Sequence, residues 1–191
     1  MTKALIILTV QNDFCSFGNM ELPGTDSLAD CANKIMPLFE RVIAVNFAFP
    51  PDHLSFAANH LFRQPGKTMM IDGRTQLLKP IHCVDASFGA EFPSNLNKDE
   101  IDYVQKVGTK AEIDIYSMFS DLDLSANQLY DYLERSGVKV LFFMGVGGTF
   151  FENSIHDARL KGFETILIKD AIAGDFNLPG IGCLAISEIE L

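Results

Sequence analysis

Residues 138–162 constrain this chain more than any other stretch. They read Val-Lys-Val-Leu-Phe-Phe-Met-Gly-Val-Gly-Gly-Thr-Phe-Phe-Glu-Asn-Ser-Ile-His-Asp-Ala-Arg-Leu-Lys-Gly. Residues 138–144 form a short apolar run rich in β-branched and aromatic side chains, the pattern of a strand covered on both faces. Gly145, Gly147 and Gly148 allow a sharp turn and a close backbone approach. Thr149 is placed to cap a helix, with Glu152 as its capping-box partner, and Gly162 marks the helix end. A strand, a glycine turn and a helix predict a parallel α/β sheet, in which ligands sit in the loops at the carboxyl ends of the strands. A catalytic nucleophile is often mounted on such a turn. Here the turn carries Phe150 and Phe151, and neither side chain can attack a substrate.

The rest of the chain repeats the pattern. Residues 4–10, 41–47, 101–107 and 163–168 read as further strands, and residues 28–39 and 125–136 as helices. Pro37 falls inside the first helical pattern and predicts a kink or an early end. Asp170-Ala171-Ile172-Ala173-Gly174 reads as the exit loop of the last strand. Residues 54–100 look irregular, and so long a connection in a compact domain points to a lid or a functional loop. Alternating strands and helices predict one domain over residues 1–191: a three-layer α/β/α, Rossmann-like fold with about five or six mainly parallel strands.

Composition excludes some functions. A net charge of −10 argues against nucleic acid or an anionic membrane as partner. No apolar run is long enough to span a bilayer, and the apolar start at Ala4 leads into Gln11-Asn12-Asp13 without a cleavage site. Cys15, Cys31, Cys83 and Cys183 lack CxxC spacing, which fits reduced thiols in a cytoplasmic protein.

A series of short motifs then gives a family resemblance. Val10-Gln11-Asn12-Asp13-Phe14-Cys15 resembles the first-strand exit of nicotinamidases and the wider isochorismatase-like hydrolases. His53-Leu54-Ser55-Phe56, His82-Cys83-Val84, Gly89-Ala90-Glu91, Gly108-Thr109, Tyr116-Ser117-Met118-Phe119, Gly145-Val146 and Asp157-Ala158 follow in the family's order. The resemblance covers residues 4–174 and implies an isochorismatase-like fold. It also implies a catalytic aspartate, lysine and cysteine. The aspartate position, two before Gln11, holds Thr9. The lysine position, just before Gly108-Thr109, holds Val107. The cysteine position, seven before Asp157, holds Phe150, with Phe151 as the alternative alignment.

Amide hydrolysis by that route needs a thiolate, a base and a nearby cation. Threonine, valine and phenylalanine supply none of these. The resemblance also implies a metal site of one aspartate and three histidines in some members. Aligned on His53, Phe47 stands at the aspartate and Phe49 at the first histidine, which leaves His53 and His82. Two imidazoles are too few for zinc or iron, so no metal and no cofactor is expected.

The remaining candidates have structural readings of their own. Asp13 is expected to bind loop amides. Asp13, Phe14, Phe47, Phe49 and Phe151 are the expected lining of the old pocket. Lys106 should face away from Val107, and Lys110 sits in a loop. The expected function is a non-catalytic relative, a pseudoenzyme with a binding or assembly role. Such a protein is expected to be a homo-oligomer with at most a small-molecule ligand. The alternatives are a cysteine-hydrolase relative acting on a small amide through relocated groups (among Asp13, Cys15, His53, His82, Cys83 and Lys110), or a small-molecule binder without turnover.

Overall fold

A computed structural model describes residues 2–119 and 128–189. Its centre is a six-stranded, fully parallel sheet in the order β5-β2-β1-β6-β7-β8. The strands are β1 (Thr2–Leu8), β2 (Arg41–Phe47), β5 (Tyr103–Val107), β6 (Val138–Val146), β7 (Glu164–Ala173) and β8 (Gly182–Leu184). The described helices are α1 (Leu28–Ile35), α2 (Gln128–Arg135) and α3 (Thr149–Leu160). The chain runs outward from β1 through β2 to β5, then returns to β6 and runs outward the other way. Right-handed crossovers therefore put α1 on one face of the sheet and α2 and α3 on the other. The switch in direction falls between β1 and β6, and in this architecture ligands bind beside it.

The core follows from the apolar runs. Ala4, Leu5, Ile6, Ile7 and Leu8 have no exposed surface, nor do Leu141, Phe143 and Met144 on β6. Gly145 is needed where β6 passes β1. It has φ +128°, and a Cβ there would lie 2.1 Å from the carbonyl oxygen of Leu8.

Several boundaries differ from the sequence expectations. β1 stops at Leu8, because Thr9 turns into the left-handed region at φ +54°. α1 ends at Ile35, and Pro37 lies in a single 3-10 turn over Met36–Leu38. Residues 170–173 are strand, not exit loop: after an irregularity in register, Ile172 and Ala173 pair with Gly145 and Val146. Thr149 begins α3 but does not cap it. Gly148 is the N-cap, and Glu152 instead accepts the amide of Asn177 at 2.7 Å. At the far end the Phe163 amide reaches back to the Ala158 carbonyl at 3.1 Å, the closing bond of a helix that stops at Gly162. Residues 125–127 of the expected second helix lie outside the described residues.

The stretch 54–100 is not wholly irregular. It contains a hairpin, β3 (Thr68–Ile71) and β4 (Arg74–Leu77), joined by Asp72-Gly73. Both turn residues have positive φ, +48° and +77°, as a two-residue type I′ turn requires.

Candidate functional site

Thr9, Val107 and Phe150 come from the ends of β1 and β5 and the start of α3, so all three sit at the carboxyl edge of the sheet. Thr9 and Val107 are buried, at 2% and 1% exposure. The Thr9 amide bonds the Val45 carbonyl at 2.8 Å, and the Val107 carbonyl accepts the Ala48 amide at 2.9 Å. Phe150 is half-buried.

Phe47 ties this edge together. It is the register partner of Val107, its ring meets Phe150 edge-on at 4.7 Å, and it stacks on Phe49 at 5.0 Å. Phe49 in turn contacts His53 at 4.6 Å, His82 at 5.1 Å and Phe56 at 5.7 Å. Phe14 joins through Phe47 at 6.2 Å and His82 at 6.1 Å. Such edge-on and offset ring pairs add stability beyond the area they bury. Gly108 leaves room for the cluster: it has φ +74°, and a Cβ there would lie 2.4 Å from the Phe49 ring.

Polar side chains from distant segments frame the rings. The Gln11 side chain donates to the carbonyls of Phe47 and Ala90, both at 2.8 Å, and accepts the Phe47 amide at 2.9 Å. This residue holds the end of β2, a role that sequence reading missed because it registered only as part of a motif. Asp13 accepts the amides of Cys83 at 2.5 Å and Asn19 at 3.2 Å. Ser117 donates to Asp157 at 2.5 Å, and the Met118 amide donates to Ser154 at 2.9 Å, which fastens the 115–119 loop to α3.

Of the five residues expected to line the pocket, Phe47 borders a described cavity. That cavity is about 190 Å³ and is walled by Phe47, Phe150, Thr149, Tyr116, Lys79 and the β4 segment of the hairpin. Phe14 and Phe49 are committed to the ring cluster. Phe151 packs inward against Phe143 and Phe176, with no exposed surface. Asp13 is turned to the loop amides. Of Phe150 and Phe151, Phe150 borders this cavity and Phe151 is turned into the core.

Comparisons with known proteins find related sequences and a shared fold. The nicotinamidase of Acinetobacter baylyi is 31% identical over 170 residues, covering 88% of this chain and 79% of that protein. A solved nicotinamidase and pyrazinamidase from Acinetobacter baumannii superposes with a TM-score of 0.87 at 29% identity, over 97% of each chain.

The chain belongs to the nicotinamidase family.

An isochorismatase-like hydrolase from Alkaliphilus metalliredigens shares the fold at a TM-score of 0.73 and 16% identity, over 98% of this chain and 96% of its own. No family model matches the sequence.

The metal site that the family resemblance implies does not fit the residues present in this nicotinamidase-family chain. Phe47 and Phe49 offer rings in place of ligands. His53 uses both ring nitrogens: Nε2–H donates to the Ile113 carbonyl at 3.1 Å, so Nδ1 accepts from the Ser55 hydroxyl at 2.8 Å. His82 donates Nδ1–H to the Pro80 carbonyl at 2.9 Å. Among the described residues, no group of three or more His, Cys, Asp or Glu side chains could hold a metal ion.

Nor does either thiol near this edge, Cys15 or Cys83, bond a basic side chain among the described residues. The Cys83 thiol points to the Gly89 carbonyl at 3.9 Å, and burial, then the Asp13 carboxylate, pushes it up, away from thiolate. Cys15 points to the Gln11 carbonyl at 3.6 Å and is raised by burial and then by Asp26. Lys106 is turned outward, bonded to Asp85 at 2.7 Å, while its neighbour Val107 is buried.

The two histidines make stability depend on pH. Burial depresses His82 from 6.5 to about 4, and burial likewise lowers His53. The unfolded chain therefore binds more protons than the folded one in this window, and stability rises with pH there. Stability is complete above about pH 6.5 and falls as pH drops toward about 4. Urea denaturation from neutral pH down to about 4 will show this slope. A His82→Phe variant, which suits the ring cluster, will flatten it, and an unchanged slope would contradict the burial of a neutral His82.

Proposed function

We propose that this nicotinamidase-family protein does not perform the family's hydrolysis and serves instead as a binding or assembly module. The observation that carries the reading is Phe47, whose ring is stacked on Phe49 and meets Phe150, in a site where the family chemistry needs charge. A second observation supports it. Thr9 holds φ +54°, a region that β-branched residues seldom take and that aspartate tolerates far better. The backbone thus suits the family's aspartate better than the residue it carries. The cavity beside Phe150 has room for a small flat molecule held without turnover. The protein is proposed to be cytoplasmic and to self-associate. No described helix is long and apolar enough to cross a membrane.

The second reading is a hydrolase with relocated catalytic groups, favoured by the named activity of the relatives at about this identity. A thiol-directed alkylating probe at neutral pH, read by peptide mass spectrometry, separates the two. Slow labelling of Cys15 and Cys83 supports the first. Rapid labelling of either, blocked by an amide substrate, supports the second.

Phe150→Cys tests the site directly. A fully buried Phe truncation costs about 3–5 kcal/mol. Phe150 is half-buried, so about 1–2 kcal/mol is expected, a fall in Tm of about 2–8 °C for a chain of this size. The new thiol would sit at a helix N-terminus, which favours thiolate, but without a lysine at position 107 or an aspartate at position 9. Groups that act as one catalytic unit are strongly non-additive, so no amidase activity will appear. Turnover by this single variant, or an unchanged Tm, would remove Phe150 from the role given to it.

A further inference from the structure

A cavity of about 270 Å³ opens between the β3-β4 hairpin and the 112–116 loop. Gln76 of β4 lines it, and also lines the cavity beside Phe150. Gln76 is 5% exposed. Its Nε2 donates to the Asp114 carboxylate at 2.9 Å and to the Leu77 carbonyl at 2.8 Å. Both amide hydrogens are thus used, which fixes the other end of the amide as the oxygen. Among the described residues that oxygen, Oε1, accepts no hydrogen bond, and the one fully buried side-chain polar atom without a partner is Asn46 Oδ1. Gln76 Oε1 is therefore unpaired but still accessible. A residue so buried keeps its surface where it lines the two cavities. An unpaired acceptor in such a place is costly and calls for a donor.

The charges around the larger cavity say what the donor is. Asp72, Glu112 and Asp114 line it, with Arg74 as its one basic group, so two negative charges are in surplus. Arg74 is ion-paired with none of the three among the described residues. Nor do these carboxylates gather closely enough to hold a metal ion, so the surplus is spread over the wall. Leu54, Ile71, Ile113 and the Tyr116 ring make up its apolar part. The cavity beside Phe150 has Lys79 against Asp114 and so no surplus. An open acceptor, separated carboxylates and apolar wall suit two ammonium heads on a short hydrocarbon chain.

We propose that this cavity is a binding site for a short linear aliphatic diamine, taken as the dication. One ammonium donates to Gln76 Oε1 and to the Asp114 carboxylate beside it. The other lies at Asp72 and Glu112, both exposed at the rim. The methylenes lie against Ile71, Leu54 and the Tyr116 ring. The surplus charge favours the dication over a monoamine, and both over a dianion of the same length. The proposal stands independently of whether the Phe150 site is catalytic.

The test titrates terminal diaminobutane, n-butylamine, succinate and magnesium chloride, at matched ionic strength, into the ¹⁵N-labelled full chain. The readout is the Gln76 side-chain amide and the backbone amides of Ile71, Glu112 and Ile113. The diamine is expected to give saturable shifts there, n-butylamine weaker ones, and succinate and magnesium none in the same range. Gln76→Met keeps the length of the side chain and removes the open oxygen. It should weaken diamine binding about tenfold or more, the loss of one hydrogen bond to a charged group. Asp72→Asn combined with Glu112→Gln alters only exposed side chains, and Asn-Gly still suits the type I′ turn. This double variant should lower the affinity for the diamine to that for n-butylamine, and it decides the matter if the methionine variant does not fold. The proposal is overturned by the absence of saturable shifts with the diamine, by equal binding of any other probe, by shifts confined to Thr149 and Phe150, or by undiminished diamine binding in the folded variants.

Discussion

Phe49→Ala will lower stability by about 3–5 kcal/mol, the range for removing a fully buried Phe ring. Phe49 has no exposed surface and sits in the middle of the ring cluster, between Phe47, Phe56, His53 and His82. Its backbone also joins β2 to the 82–85 segment: its amide bonds the Cys83 carbonyl at 2.9 Å, and its carbonyl accepts the Asp85 amide at 2.8 Å. The backbone bonds survive the change, so little collapse can fill the void. The loss is a large share of the about 5–15 kcal/mol that holds a domain together. Phe49→Leu, which keeps most of the volume, should lose less than half as much. Phe49→His will not rebuild a metal site and will also destabilise, because it buries a polar ring among apolar neighbours. Urea denaturation at neutral pH measures all three. A loss below about 1 kcal/mol for the alanine variant would mean that the cluster is not a core.

The fold was legible in the sequence because its strands are written as unbroken apolar runs and its glycines mark turns. Residues 138–162 alone imply the central strand, the elbow and the helix. The hairpin at Thr68–Leu77 was missed although Asp72-Gly73, flanked by short strand-like segments, carries its signal; its strands are half exposed and lack a clear apolar alternation. β8 has three residues and no pattern to detect. The end of β1 was misplaced because Thr9 is β-branched and favours a strand, while the tertiary structure forces it to positive φ. In the site, the proposed replacement of catalytic positions at Thr9, Val107 and Phe150 rests on counting from the motifs. What the sequence could not give is the connectivity among aromatics: Phe47, Phe49, Phe56 and Phe150 meet only through folding. The unpaired Gln76 oxygen was equally invisible, since glutamine in a strand has no pattern that reports its partners.

The second large effect concerns catalysis. The side chains at Thr9, Val107 and Phe150 offer no thiolate, no base and no cation, and neither Cys15 nor Cys83 bonds a basic side chain among the described residues. On the proposed reading, placing aspartate, lysine and cysteine at positions 9, 107 and 150 will not create activity. Thr9 and Val107 are at most 2% exposed, so an aspartate and a lysine there must shed water in a site surrounded by rings. Such burial costs several kcal/mol per ion unless the geometry is excellent. The Thr9→Asp, Val107→Lys, Phe150→Cys variant is therefore expected to be poorly folded, with an early, broad melting transition.

Ammonia release from nicotinamide and from pyrazinamide by the purified wild-type protein tests the central claim most directly. The expected result is a rate equal to that of the protein-free blank at every substrate concentration. Saturable release that is lost on heat denaturation would contradict it, and would show that this apolar site, or another group in the chain, still hydrolyses an amide.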